Sequence, residues 1–273
     1  MAGEDAAGWA VVEQTADLAS TRFGATLRSV YVLGSLAHGG FRPLVSDVDV
    51  LLVLDDPISP DDVAAIDRLV ADVKGSGRPL ADRLSLFWTS PAWLAGDGSR
   101  PARLPPLDVV DLLDHGVLLH GGECRDRVAR PSTLDLVQGA AAFTVDVLAR
   151  PDRLLQITDP DVAVAGGART ASKVALFPVR FLYTARTGRM GENDAAATHY
   201  LAATPPGPTS ALVHAGIEWR TTWIPSLTDV YRGLLAAAPD LYREFVDAYV
   251  PELRAASLDE LADDLEAWRS GLG

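Results

Sequence analysis

Two aspartates two residues apart, Asp47 and Asp49, open a β-branched run separated by eleven residues from a Gly34-Ser35 pair. On a strand, residues two apart project from one face, so both carboxylates leave together. Two such ions about 5–6 Å apart repel by roughly 3 kcal/mol at an effective dielectric of about 20, and a retained pair usually has a cation between its members. Hard oxygen ligands in this number suit Mg²⁺, which takes one or two carboxylates and fills its shell with water and substrate phosphates. Gly34 lets the backbone turn tightly and approach a ligand. Ser35 follows at the expected start of a short helix, where N–H groups and a hydroxyl can hold phosphate oxygens. The phosphate cradle and the metal carboxylates would thus face one another across a nucleoside triphosphate. Either half alone reads as an ordinary turn or a solvated strand start; the spacing joins them.

Elements able to position these groups follow from the pattern around them. Residues 9–23 have helical periodicity, 29–33 form an apolar strand ending at Gly34, and 48–54 form a second strand stopped by Asp55, Asp56 and Pro57. Ser59 caps a helix to about Val73, residues 82–89 alternate as a strand, and 117–119 add one more. Beyond about Val128 the texture becomes helical. Ser132 and Asp135 have capping-box spacing, and so do Ser257 and Glu260. A helix over 169–187 is expected to bend or break at Pro178 and to stop at Gly188, and Asn193 is expected to cap the next. The architecture expected is an α/β head over 1–130 and an all-α unit over 131–273, joined near Arg130-Pro131.

Composition narrows the function classes. The 273 residues are 48% hydrophobic and 22% charged, as in a globular protein. No apolar run reaches the roughly 18–20 residues needed to span a bilayer. Met1 to Ala10 carries two acids and no base, unlike a signal peptide. With Cys124 as the one cysteine, a reducing cytoplasm is the expected compartment. The formal charge of −13 points away from long nucleic acids, which need a basic face, and suits a metal-dependent enzyme or a cationic small substrate. The five histidines show no metal spacing, and Trp219, Trp223 and Trp268 read as core.

The stretch YVLGSLAHGGFRPLVSDVDVLLVL resembles the signature of the polymerase-β-like nucleotidyltransferase superfamily. The chain as a whole looks most like the bacterial aminoglycoside adenylyltransferases that act on streptomycin and spectinomycin. There RTASKVALFPVRFLYTARTGR has a comparable helix ending in Thr-Gly. The resemblance implies an α+β fold: a nucleotidyltransferase head with a mixed β-sheet flanked by helices, followed by a helical C-terminal domain. It also implies a third carboxylate on a later strand, for which Asp82 is the candidate; Asp72, on the preceding helix, fits less well.

The implied reaction transfers a nucleoside monophosphate, AMP from ATP, to a small-molecule hydroxyl. Pyrophosphate leaves, with two Mg²⁺ ions on Asp47, Asp49 and Asp82. Asp82 would take the acceptor's proton, and Gly34 and Ser35 would hold the pyrophosphate. Arg42 would neutralise developing charge, while Lys173 and Arg180, seven apart on one helix, would reach the phosphates. An aminoglycoside-like antibiotic is one acceptor, which would make the activity antibiotic resistance. Alternatives are transfer to RNA or protein, or a non-catalytic member that binds a nucleotide or a partner.

Overall fold

The computed structural model describes residues 5–273, so part of the expectation for Met1–Ala10 lies outside the described residues. Two compact units divide the chain, one ending at Arg130 and one from Pro131 to Gly273. In the first unit the order is α1 (Ala6–Phe23), β1 (Leu27–Leu33), α2 (Gly34–His38), β2 (Val48–Leu54), α3 (Pro60–Lys74), β3 (Leu84–Thr89), α4 (Pro91–Leu94), α5 (Pro106–His115) and β4 (Val117–Gly121). Sequence periodicity had missed α5 and the short α4. The four strands form one mixed sheet in the order β3-β2-β1-β4. β1 is antiparallel to both β2 and β4, and β2 is parallel to β3.

Alternation sorts the strand residues onto two buried faces. Val30, Val32, Val48, Val50, Leu52, Leu84 and Leu86 pack with Val12 of α1 and with Ile66 and Leu69 of α3. Tyr31, Leu33, Leu51 and Val53 pack instead with Leu94 of α4 and with Val109 and Leu112 of α5. Helices on both sides explain why β2 reads as a nearly unbroken apolar run. Ser59 caps α3, the helix start expected there, and does so in a reciprocal box with Asp62.

The second unit is helical: α6 (Thr133–Phe143), α7 (Pro151–Thr158), α8 (Pro160–Ala165), α9 (Gly167–Thr187), α10 (Asn193–Ala203), α11 (Pro208–Glu218), α12 (Thr228–Leu235), α13 (Ala238–Ala255) and α14 (Asp259–Ser270). After α6 the chain continues as a π-helical turn, Thr144–Leu148. The Ser132–Asp135 capping box forms. α9 is not interrupted at Pro178, whose missing N–H is tolerated in a helix that Val174, Ala175 and Val179 hold in the core. Two local expectations differ. Ser257 adopts a left-handed φ of 60° and does not cap α14, whose N-cap is Leu258. Asn193 is the first residue of α10 rather than its cap, the cap position being Glu192. α9 and α13 run through the core, where the Tyr249 hydroxyl donates to the Phe181 carbonyl at 2.8 Å. Trp219 and Trp268 are buried, as their sequence context suggests. No helix among the described residues is long and apolar enough to cross a membrane.

The end of β4 is fastened to β1 by a polar knot. The buried Tyr31 hydroxyl donates to Glu123 at 2.8 Å and accepts from the Cys124 N–H at 2.9 Å. Arg125 donates to Glu123 at 2.6 Å and to the Gly116 carbonyl at 2.8 Å. Hydrogen bonding from Arg125, opposed by partial desolvation, holds the Glu123 carboxyl at about 2. A carboxylate lowered on folding stabilises the protein above its unfolded pKa, and that contribution fades as pH falls through the folded value. Glu123→Gln should therefore lower stability at neutral pH. It should also flatten the acid limb between the ordinary 4.5 and about 2, read by circular dichroism melts across pH. An unchanged acid limb would exclude this role.

Candidate active site

β1 ends at Leu33 and turns at once into α2, and the turn is made by Gly34 at a φ of 64°. Across the antiparallel pair, Leu33 stands opposite Asp49. A Cβ built on Gly34 would lie 2.2 Å from an Asp49 carboxylate oxygen. Glycine is thus required twice here, once for the left-handed φ and once for the space the carboxylate fills. The Gly34 N–H is held as well. It donates to the Asp111 carboxylate at 2.5 Å, and Asp111, on α5, is 2% exposed. Asp49 and Asp111 therefore flank the same glycine, on the sheet face that α5 covers.

Asp47 lies in the loop immediately before β2, half-buried, and Asp49 is the second residue of the strand. The loop is pinned from several sides. Val45 and Ser46 N–H groups donate to the Arg42 carbonyl, and the Arg42 N–H donates to the Ser46 hydroxyl at 2.9 Å. The Arg42 guanidinium bonds its neighbour's carbonyl, Phe41, at 2.8 Å. Arg83 reaches over from the start of β3 to the Pro43 carbonyl at 2.6 Å. Ser35 is the second residue of α2 and is half-buried, and the His38 and His115 rings meet edge to face at 5.6 Å.

Asp82 is placed differently from the strand position expected of it. It lies exposed in the 3-10 turn Ala81–Arg83, ahead of β3. In the parallel register Asp49 is level with Ser85, so the β3 position beside the acid pair carries a hydroxyl. Among the described residues no group of three or more His, Cys, Asp or Glu is placed to hold a metal. The donor set at Asp47 and Asp49 fits one Mg²⁺ whose remaining ligands are water and phosphate. A three-carboxylate set for two ions is not assembled. Lys173 lies on α9 in the second unit, four residues before Phe177, whose ring it approaches at 5.9 Å.

The sequence reading passed over two positioning residues. Asp111 is an acid at a core position of an apolar helix, between Val110 and Leu112, and a buried acid in that context signals a specific donor. Arg83 follows Asp82 directly, and nothing in its local sequence marks the distant Pro43 carbonyl as its partner. Truncating Asp111 to Ala would leave the Gly34 N–H without its acceptor, which should cost about 1–3 kcal/mol. Asp111→Asn keeps an acceptor oxygen and should cost less. Gly34→Ala should cost more stability than either, because the added methyl meets Asp49 directly at a left-handed φ. Denaturant melts of the three variants test the order, and equal stability of Asp111→Ala and wild type would remove the assigned role.

No protein-family model matches the sequence, and no curated protein matches it. Among solved structures, the chain is similar to spectinomycin adenyltransferase AAD(9) from Enterococcus faecialis, determined with ATP and spectinomycin. The likeness has a TM-score of 0.54 at 12% identity, and it covers 83% of this chain and 98% of that one. At that identity it speaks for the fold. The mixed sheet with helices on both faces, the helical second unit and this likeness together show that the chain has the fold of that adenyltransferase.

Proposed function

We propose that the chain binds a nucleoside triphosphate, ATP, with Mg²⁺ and transfers its nucleoside monophosphate to a hydroxyl of a small molecule, releasing pyrophosphate. The observation that carries this reading is the Asp49 carboxylate lying against Gly34. That contact sets Asp49 beside the turn into α2, the arrangement that a phosphate site with a metal carboxylate would need. Asp47 and Asp49 would hold the Mg²⁺, which when bound neutralises triphosphate charge. Asp111 fixes the Gly34 amide and so the entry into α2, from which the Ser35 hydroxyl and N–H would meet phosphate oxygens. Arg42, in the loop before Asp47, would face the developing charge. Asp82 would accept the acceptor hydroxyl's proton. The acceptor is a hydroxylated small molecule; the related enzyme's spectinomycin makes such antibiotics, and hence resistance, one candidate class. The formal charge of −13 argues against RNA.

A second reading is favoured by Ser85: with no acid level with Asp49, the fold would bind nucleotide without transferring it. Calorimetric titration with ATP separates these readings. Metal-dependent binding should fall at least about tenfold in Asp47→Asn and persist in Asp82→Asn. Pyrophosphate release across a panel of hydroxylated acceptors then supports transfer, and binding without release supports the second reading. No triphosphate binding under any metal condition would reject both.

A further inference from the structure

The residue at position 85 decides how much charge surrounds the acid pair. Sheet order puts β2 between β3 and β1, so Asp49 has two level neighbours, Leu33 on β1 and Ser85 on β3. Residues level across a ladder leave the sheet on one face, and adjacent strands lie about 4.8 Å apart. Leu33 is apolar and fully buried, whereas Ser85 is half-buried. Position 85 is therefore the place on the sheet from which a further oxygen ligand would join Asp49. The group found there is a neutral hydroxyl.

The register holds Ser85 in that place. Leu84 and Leu86 flank it and are buried on the opposite face, in one core with Val48 and Val50. A slip of one residue would turn both leucines out of that core. Asp82 does not substitute, because it lies three positions ahead of Ser85, exposed in the 3-10 turn before the strand begins. Asp111, the other acid on this face, is held against the Gly34 N–H.

Charge balance sets the number of ions. Two-metal sites place divalent cations about 3.5–4 Å apart, where they repel about four times as strongly as unit charges would. Asp47 and Asp49 set two negative charges against four positive ones, and a serine adds none. A single Mg²⁺ asks less, since one or two carboxylates hold it while water and phosphate complete its shell.

We propose that Ser85 limits this site to one divalent cation, held by Asp47 and Asp49, and that an acid at position 85 would build a second cation site beside it. The proposal rests on the triphosphate-binding reading and holds with or without transfer. Asp47 and Asp49 then serve nucleotide binding through one ion, and deprotonation of an acceptor hydroxyl is left to side chains.

Counting bound Mn²⁺, a paramagnetic stand-in for Mg²⁺, by electron paramagnetic resonance on the full-length protein tests it. With a non-hydrolysable ATP analogue, wild type and Asp82→Asn should each bind one Mn²⁺ per chain and Ser85→Asp two. Without nucleotide, Ser85→Asp should bind Mn²⁺ at least about tenfold more tightly than wild type, and Ser85→Asn should follow wild type. The added acid should lower the melting temperature of the metal-free protein, and Mn²⁺ should restore it. Two ions on wild type, loss of the ion in Asp82→Asn, or no gain in metal affinity in Ser85→Asp would overturn the proposal. The wild-type count needs no variant, so it decides the matter should Ser85→Asp fold poorly. The nucleotide-free titration is independent of triphosphate binding. An analogue that fails to bind while Ser85→Asp still gains metal affinity would reject the triphosphate reading and leave the role of position 85 standing.

Discussion

The head is arranged around the contact between Gly34 and the Asp49 carboxylate. An antiparallel pair brings the last residue of β1 opposite Asp49, and the chain then has to leave the sheet without a side chain in the way. Everything that the site could do with a phosphate follows from that turn. Its direction sets where α2 starts, and its left-handed φ excludes ordinary residues. Packing on both sheet faces makes this local geometry rigid, because β2 cannot shift by one residue without turning its apolar side chains out of both cores.

Charge organisation follows the same division into units. In the head, Asp49 and Asp111 flank Gly34, and Asp47 stands in the loop just before the strand that carries Asp49. In the helical unit Arg153, Arg169 and Lys173 line one small cavity. A single net charge for the chain conceals both. The acidic total of −13 is a sound argument against a long basic groove, yet it says nothing about local clusters of either sign.

Much of this was legible in the sequence because it depends on short-range rules. The Gly-Ser turn, the two-residue spacing of the acids and the β-branched run of β2 are local patterns, and so is the Ser132 box. What was not legible depends on register and on contacts distant in sequence. The parallel pairing of β2 with β3 decides that Ser85, not Asp82, is level with Asp49, and alternation within the segment alone does not reveal which residue starts the ladder. Asp111 is separated from Gly34 by 77 positions, and its role appears only when α5 folds over the sheet. That α9 runs unbroken through Pro178 is likewise a matter of tertiary packing, which overrides a local helix-breaking signal.

The position of β4 has a consequence for how the head opens. It is an edge strand with Val117 and Leu119 each 38% exposed, and it pairs only with β1, which precedes it by most of the unit. It follows directly on α5, the helix that carries Asp111 to Gly34. Peeling of this edge would loosen α5 while β1, β2 and β3 stayed paired, so opening events can run below the cost of global unfolding. The acid beneath the turn is thus carried by the helix next to the more exposed of the two edge strands. Amide exchange along β4 would set the rate at which the turn loses its support, and the central strands would stay protected throughout.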